Sequence, residues 1–255
     1  MTIIFYNTPA TIQAGITIKN NQELEQFNVA LHACNDPQAV AINRSKLAKR
    51  ISLPLEQFVF ANQTHSANFV KLTTEQTGLG TLSLSDAIVN IDAMYTFEPN
   101  IVCTSLTADC VPILFYSEKE NLVGAVHSGW GGSVKEITLH LLDHLKTQEN
   151  VDLHHVQVHI GRALSNEKFE VDEDVAEKFM ALGYADPWIS FKKETNKFHI
   201  DNQLVVQKQC ELAGILPENI TIDRTCTYQD AHSFSFREDR KCGRHVSFIV
   251  RTEEK

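Results

Sequence analysis

The sequence predicts an α+β fold, a single domain with mixed β-sheets flanked by helices. Three apolar runs of strand length, IVCTSL, VPILFY and LVGAV, lie between residues 101 and 126. Their nearly continuous apolar character is typical of strands covered on both faces. The short polar connection SEKEN joins the last two runs, which predicts an antiparallel hairpin. Because strands outnumber helices and include a hairpin, mixed sheets are favoured over a doubly wound parallel sheet. A three-layer α/β sandwich is the structural alternative.

Length and composition predict one soluble enzyme-sized domain spanning residues 1–255. The 255 residues contain no linker, repeat or low-complexity tract, and 43% of them are hydrophobic. The net charge of −9 argues against nucleic-acid binding, which needs a basic face. No apolar run is long enough for a membrane span, and the N-terminus lacks the features of a signal peptide. We therefore expect a soluble cytoplasmic protein.

The first helix is predicted over DPQAVAINRSKLAKRISL. Asp36 suits the N-cap and Pro37 the first helical position, and basic residues accumulate toward the C-terminal end. Two strands follow, near Phe58–Gln63 and Asn68–Leu72.

A second helix is predicted over GGSVKEITLHLLDHLKTQ, directly after the hairpin. Ser133 and Glu136 have the spacing of a capping box. The predicted buried stripe of this helix consists of Val134, Ile137, Leu141, Leu142 and Leu145. The later elements are a strand at VQVHIG, a helix after Val171, another helix around Asp201–Ala213, and strands at NITID and HVSFIV.

Cys110 stands just before the first strand of the hairpin, and His127 stands just after the second. In an antiparallel hairpin those positions lie at the same open end, so the two side chains can be neighbours. A thiolate beside an imidazole is either a catalytic pair or two thirds of a metal site. His65, in the polar turn NQTHS at the end of another strand, is the natural third member. Two histidines and one cysteine suit a Zn²⁺ with its fourth position open.

The segment SGWGGS after His127 has two interpretations. Its backbone N–H groups at a helix N-terminus could bind an anion such as phosphate. Alternatively, the strand-to-helix turn simply needs glycine for backbone reasons. The six cysteines contain no CxxC pair and are predicted to be free thiols.

Five segments resemble the YfiH family, also called the laccase-domain or polyphenol oxidase family. They are NQTH, LTADCVPILF, GAVHSGWGGS, CTYQDAHSFSFRED and GRHVSFI. The resemblance extends from about Gly15 to Val250. It implies a YfiH-like α+β domain that holds Zn²⁺, or Cu²⁺ as the alternative, through His65, Cys110 and His127. It also implies small-molecule partners, a purine nucleoside and phosphate. The implied reactions are phosphorolysis of adenosine, inosine or methylthioadenosine, and adenosine deamination.

The chain departs from the usual family pattern in three places. Ser66 follows the first histidine where the family often has glycine. Gly131 replaces an arginine of the usual GWRG motif. The segment IGRALSNEKFEV replaces a glycine- and proline-rich segment, and its Arg162 is a candidate to compensate for the missing arginine.

The remaining candidate residues divide into catalytic and substrate-binding groups. Asp109, beside Cys110, is a candidate base or a support for the metal ligands. Arg44 and Arg237 are candidates to bind phosphate or ribose oxygens. The residues expected to contact substrate are Asn62, Gln63, Ser128, Gly129 and Arg162.

Three other functions remain open from the sequence. A copper-dependent polyphenol oxidase is the first, although no HxH pair of the kind used by multicopper oxidases is present. The second is a Cys110–His127 hydrolase that edits peptidoglycan precursors. The third is a metal-binding module without turnover. The HxE and PCxxC signature of zinc deaminases is absent, so a deaminase activity would need a different architecture.

Overall fold

The computed structural model describes residues 2–253, which form sixteen strands and five α-helices. The strands are β1 Ile3–Phe5, β2 Ile12–Thr17, β3 Phe58–Val59, β4 Ala61–Asn62, β5 Phe69–Lys71, β6 Ile88–Val89, β7 Ala93–Thr96, β8 Val102–Thr107, β9 Val111–Ser117, β10 Leu122–Ser128, β11 Gln157–Ile160, β12 Glu170–Val171, β13 Ile189–Lys192, β14 Lys197–Ile200, β15 Ile220–Ile222 and β16 His245–Arg251. The helices are α1 Pro37–Arg50, α2 Trp130–Val134, α3 Ile137–Thr147, α4 Glu173–Met180 and α5 Asn202–Ala213.

Two mixed sheets form the centre of the molecule. One has five strands in the order β1-β2-β16-β8-β3, and the other has six in the order β15-β11-β9-β10-β7-β5. Most neighbours are antiparallel, but β3 pairs parallel to β8, β5 to β7, and β15 to β11. Smaller sheets are formed by β12-β14-β13 and by β4-β6. The predicted α+β class with mixed sheets flanked by helices is confirmed.

The elements stack in four layers, one more than the three-layer alternative, and three hydrophobic clusters join these layers. One cluster packs α1 on the five-stranded sheet through residues such as Leu47 and Phe248. A second cluster, with Leu114 and Ile249, joins the two sheets. A third packs α3 and α5 on the outer face of the six-stranded sheet. Both sheets are therefore covered on both faces, which explains why their strands are apolar throughout.

The predicted hairpin is confirmed as β9 and β10, the two central strands of the six-stranded sheet. They pair antiparallel from Leu122↔Ser117 to Ser128↔Val111, so the open end carries Cys110 and His127. The first helix also begins as predicted, because the Asp36 carboxylate accepts a hydrogen bond from the Gln38 backbone N–H and Pro37 occupies the first position.

The predicted capping box at Ser133 is wrong. Ser133 lies inside α2, fully buried, and its hydroxyl hydrogen-bonds the Ser128 hydroxyl at 2.8 Å. Glu136 has a left-handed backbone (φ 56°) and separates α2 from α3. The predicted single helix is therefore two helices. The predicted strand Phe58–Gln63 is likewise divided, because β3 pairs with β8 whereas β4 pairs with β6.

None of the helices within residues 2–253 has the length and apolar character needed to cross a bilayer.

Candidate metal centre

Three chain segments bring the candidate ligands to the open end of the hairpin. Cys110 immediately precedes β9, and His127 lies in β10 opposite Pro112. His65 lies in the turn between β4 and β5, with a left-handed backbone (φ 59°). The ligand atoms of the three residues all lie within 4.8 Å of one another. The fold therefore brings together the three residues that the sequence singles out, and their role as metal ligands stays a prediction.

The three residues of the cluster differ in their exposure to solvent. His65 is exposed, Cys110 is half-buried and His127 is buried. The Cys110 Sγ lies 3.6 Å from His65 Nε2, and the two imidazole rings are nearly perpendicular with centroids 4.8 Å apart. The open side of the cluster is thus the side on which a small molecule can approach.

One buried carboxylate, Asp92, organises both histidines. Its side chain has no exposed surface, and its Oδ1 lies 2.8 Å from His127 Nδ1. The same carboxylate accepts hydrogen bonds from the backbone N–H groups of Thr64, His65 and Ser66 at 2.7 to 3.1 Å. The Ser66 hydroxyl donates a further hydrogen bond of 2.6 Å. Asp92 therefore fixes the turn that carries His65 and the ring of His127 at once.

This arrangement sets the tautomer and the charge of the cluster. The His127 Nδ1–H donates to Asp92, which leaves Nε2 free as a ligand atom. Burial opposes ionisation of Asp92, but hydrogen bonds from His127 and Ser66 outweigh it and lower the pKa of the carboxyl. Burial likewise opposes a thiolate at Cys110, yet the adjacent His127 and His65 lower the pKa of that thiol. Cys110 is consequently prepared to act as a thiolate.

Gly129 gives a physical reason for the glycine after His127. A Cβ at this position would lie 2.3 Å from His65 Cδ2, 2.7 Å from His65 Nε2 and 3.0 Å from Cys110 Sγ. Any side chain here would displace the ligand atoms themselves. The turn needs glycine because of this close approach, and α2 is only five residues long. The close approach at Gly129 supports the second interpretation of SGWGGS, and an anion site at its backbone N–H groups stays a prediction.

The donor set fits a zinc ion with one open position. In a tetrahedral site with Zn–S of about 2.3 Å and Zn–N of about 2.0–2.1 Å, the sulfur and nitrogen are separated by about 3.5 Å. The observed separation of Cys110 Sγ and His65 Nε2 is 3.6 Å. Three protein ligands are the number that catalytic zinc sites use. His65, Cys110 and His127 are therefore the residues that would hold the ion.

The three residues of the cluster line a cavity of about 830 Å³, a size typical of small-molecule sites. The lining includes apolar and aromatic side chains, among them Trp130, Leu164, Phe169 and Phe236. It also includes the basic residues Lys197, Arg237, Arg240 and Arg244 and the acidic residues Asp109 and Glu170. The cavity thus offers apolar surface together with an excess of basic over acidic side chains.

Of the other predicted site residues, Gln63, Asp109 and Arg237 line this cavity. The Gln63 amide bridges to both backbone groups of Leu106, so it fixes the end of β8. The Asp109 carboxylate accepts hydrogen bonds from the Thr227 hydroxyl and from the Arg237 backbone N–H, both at 2.6 Å. These contacts give Asp109 a positioning role, and its role as a base stays a prediction.

The structure does not bring Arg44 to the site, which corrects its assignment as a catalytic residue. Its side chain is buried on the ring of Phe60, with the guanidinium carbon 3.7 Å from the ring centroid. The guanidinium donates to the backbone carbonyls of Val29, Gly80 and Thr81. Arg44 therefore stabilises the fold around α1.

Arg162 does not line the cavity either, so it does not replace the missing arginine at Gly131. It is buried between Asp230 and Asp223, at 2.9 and 3.4 Å, and its charge is neutralised there. The Ser128 side chain is buried against Ser133, and exposed Asn62 lies outside the cavity lining. Gly129 contributes through its lack of a side chain, not through a substrate contact.

Sequence reasoning missed Asp92, Trp130, Phe236, Arg240 and Arg244. The four cavity residues had signals in the sequence: Trp130 lies within SGWGGS, and FREDRKCGR holds Phe236 and a dense group of basic residues. Asp92 had only the signal of a lone acid before an apolar strand. Its role depends on contacts with two segments that lie 26 to 35 residues away.

Comparisons with known proteins agree over nearly the whole chain. The family model described as multi-copper polyphenol oxidoreductase laccase matches residues 13–252. A purine nucleoside phosphorylase of Staphylococcus saprophyticus is 35% identical over 225 residues, which cover 88% of this chain and 84% of the relative. The purine nucleoside phosphorylase YlmD of Geobacillus stearothermophilus is 31% identical over 252 residues, which cover 94% of this chain and 90% of the relative.

Solved structures give the same result. The YfiH protein of Bacillus licheniformis superimposes with a TM-score of 0.94 at 28% identity, covering 98% of this chain and 97% of the other. The crystal structure of YlmD from Geobacillus stearothermophilus gives a TM-score of 0.93 at 28% identity, covering 99% and 97%.

Proposed function

The chain belongs to the multi-copper polyphenol oxidoreductase laccase family, and from that premise we propose that it is a metal-dependent purine nucleoside phosphorylase. The observation that carries the proposal is the His65–Cys110–His127 cluster in the lining of a cavity large enough for a nucleoside. The names of relatives 30–35% identical to this chain support the substrate class.

In the proposed reaction an oxygen of phosphate forms a bond to ribose C1′, and the bond from C1′ to the purine nitrogen breaks. The bonding electrons leave with the purine, which takes up the proton of hydrogenphosphate, so the products are a free purine and ribose 1-phosphate. Zn²⁺, held by His65, Cys110 and His127, would supply Lewis acidity at this site. Cu²⁺ is the alternative ion for the same donors.

The residues around the cluster have separate tasks in this scheme. Asp92 holds the His127 ring and the His65 turn so that the ligand atoms need no reorganisation. Trp130 and Phe236 line the cavity and are 40% and 44% exposed, which suits stacking against a purine. If water instead forms a bond to C6 of the adenine ring, the bond from C6 to the exocyclic nitrogen breaks, and ammonia leaves with the bonding electrons and one proton of water. The products are then inosine and ammonia, which is the proposed deamination of adenosine.

Incubating the zinc-loaded chain with adenosine, with and without phosphate, tests the proposal. We expect adenine and ribose 1-phosphate only when phosphate is present. Inosine, the product of deamination, is expected with or without phosphate. Absence of both products, with zinc bound and the chain folded, would contradict the proposed function. Oxidation of phenols by the copper-loaded chain is the third outcome. Within residues 2–253 one cluster alone could hold a metal, which argues against a multicopper centre.

A cysteine hydrolase acting on peptidoglycan precursors is the second candidate. The lowered pKa of the Cys110 thiol beside two histidines favours it, because a thiolate–imidazole pair is a nucleophile and its base. Metal analysis and thiol labelling distinguish the two functions. Stoichiometric zinc that protects Cys110 from iodoacetamide supports the metalloenzyme. Rapid labelling of a metal-free, hydrolytically active chain supports the hydrolase.

A further inference from the structure

We infer that Arg237, Arg240 and Arg244 form an anion subsite that holds phosphate beside the metal cluster. The inference rests on the proposed function in one respect, namely that the bound phosphate is the one that reacts with the nucleoside. The three arginines line the same cavity as His65, Cys110 and His127. They come from one segment between Phe236 and β16, so a single loop supplies them.

The three arginines lack carboxylate partners. Among the ion pairs formed within residues 2–253, the arginines involved are Arg162 and Arg224, both outside the cavity lining. The chain as a whole has a net charge of −9, whereas these three arginines without carboxylate partners give the cavity positive charge. A cavity lined by one sign of charge concentrates ions of the opposite sign.

Neutral contacts orient two of these side chains without neutralising them. Arg237 Nη2 donates to the Glu170 backbone carbonyl at 3.0 Å. Arg244 Nη1 donates to the backbone carbonyls of Cys242 and Gly243 at 2.7 and 3.0 Å, and its guanidinium lies over the Phe236 ring. Arg240 has no hydrogen bond to any of the residues from 2 to 253. Each guanidinium has five N–H donors, so most donors remain for a ligand with the geometry of phosphate.

The two acidic side chains of the cavity are engaged elsewhere. Both carboxylate oxygens of Asp109 accept hydrogen bonds, from Thr227 and from the Arg237 backbone. Glu170 has its Oε2 3.4 Å from His199 Nε2. Neither carboxylate pairs with the three arginines, so the positive charge stays available to an anion.

Asp109 connects the anion subsite to the metal cluster. It directly precedes Cys110, and it has a left-handed backbone (φ 85°), which is uncommon for a residue other than glycine. Its hydrogen bond to the Arg237 backbone N–H holds the arginine segment against the start of β9. Asp109 is therefore a positioning residue that sets the distance between the bound anion and the metal site.

The test measures binding of inorganic phosphate to the zinc-loaded full chain by isothermal titration calorimetry at low ionic strength, without nucleoside. We expect Arg240→Gln to weaken phosphate binding about tenfold or more, and Arg240→Lys to recover part of it, because lysine keeps the charge but not the fork of donors. Arg50→Gln removes an arginine at the exposed end of α1, outside the cavity lining, and should bind phosphate like the unaltered chain. Asp109→Asn should weaken phosphate binding while the zinc content stays the same.

Equal phosphate affinity in the unaltered chain and in Arg240→Gln would overturn the inference, and so would absence of measurable binding in both. Unfolding of a variant is checked by thermal melting, and Arg240→Lys keeps the test decisive if Arg240→Gln is unstable. Failure of the proposed function has a different signature. If phosphate binding depends on Arg240 but no purine nucleoside undergoes phosphorolysis, the anion subsite is supported and the proposed function is contradicted. If phosphorolysis occurs and Arg240→Gln leaves the KM for phosphate unchanged, the proposed function is supported and the anion subsite is contradicted.

Discussion

At the scale of single residues, Asp92 has the greatest influence on the candidate metal centre. It holds a ligand on β10 and a ligand in the turn after β4 through five hydrogen bonds to one carboxylate. An Asn side chain would keep the shape but would place an N–H₂ group against backbone N–H donors. The site therefore depends on the charge and on both oxygens of Asp92.

We expect Asp92→Asn to lower zinc affinity about 10- to 100-fold, as is usual when a carboxylate behind a metal-binding histidine is removed. Competition with a chromophoric chelator measures this affinity. Ser66→Ala is the matched variant, since it removes one of the five hydrogen bonds to Asp92, the hydroxyl contact of 2.6 Å, and should have a smaller effect. The same variant also removes the hydrogen bond that the Ser66 hydroxyl accepts from the Asn68 backbone N–H. Zinc affinity in Asp92→Asn equal to that of the unaltered chain would contradict the role given to Asp92.

Two neighbouring glycines allow a second prediction at this scale. Gly129→Ala should abolish stoichiometric zinc binding, because the added Cβ would lie 2.3 Å from the His65 ring. Gly132→Ala should retain it, because a Cβ there meets its nearest atoms at 3.4 Å, an ordinary contact. Zinc content after dialysis measures both. Equal zinc content in the two variants would show that the close approach at Gly129 has no importance.

At the scale of elements, the β9–β10 hairpin was predictable and its surroundings were not. Its two strands are apolar throughout and its connection is short, so the pairing that brings Cys110 to His127 followed from local pattern. The break between α2 and α3 could not be predicted in the same way. Ser133 and Glu136 have the spacing of a capping box, but Ser133 is buried against Ser128, and the Tyr184 hydroxyl donates to Glu136. Tertiary contacts thus override the local signal.

The hairpin itself gives a prediction about stability. Gly124 on β10 lies opposite Phe115 on β9, and a Cβ at Gly124 would lie 2.1 Å from the Phe115 ring and 2.8 Å from the Met94 carbonyl oxygen. Gly124→Ala should therefore lower the free energy of unfolding by about 1–3 kcal/mol, the usual cost of overpacking a core. Denaturant unfolding measures this change. A stability equal to that of the unaltered chain would mean that the Phe115 ring relaxes without cost.

At the scale of the whole molecule, the four-layer arrangement explains which site residues the sequence could identify. The candidate metal ligands lie at strand ends or in the turn beside one, where local patterns show them. Arg237 was also identified from the sequence, and the basic segment around it carried a signal for Arg240 and Arg244. Asp92 acquires its role only through packing against segments that are distant in sequence. Arg44 illustrates the opposite error, since a buried arginine bound to three carbonyls has the same sequence signal as a functional one.

Stability of the whole fold should fall on the acid side. His245 is fully buried, with its Nδ1–H donating to the Thr17 carbonyl and its Nε2 accepting from the Phe234 N–H. Burial, with the nearby Arg162, lowers the pKa of His245 to about 3. Between about pH 6.5, the ordinary pKa of histidine, and pH 3, the unfolded chain therefore binds a proton that the folded chain excludes. The contribution of neutral His245 to the free energy of unfolding is therefore complete above about pH 6.5 and decreases as the pH falls toward about 3.

Each such histidine adds up to about 1.4 kcal/mol per pH unit to the slope of stability against pH. Burial also lowers the pKa of His32 and of His159 to about 4, so these residues add to the slope. In His245→Gln the slope of the unfolding free energy against pH should be shallower by the contribution of one bound proton. This expectation holds whatever the variant does to stability at a single pH. Denaturant unfolding at several pH values measures the slope, and an unchanged slope would contradict a neutral buried His245.

The most direct test of the central claim is a titration of the metal-free chain with Zn²⁺ while phosphate-dependent formation of ribose 1-phosphate from inosine is measured. We predict that activity rises in proportion to bound zinc and stops rising at one zinc per chain, and that Cys110→Ala gives neither tight zinc binding nor activity. Full phosphorolysis by the metal-free chain, or by Cys110→Ala, would contradict the claim that His65, Cys110 and His127 form the metal centre on which the reaction depends.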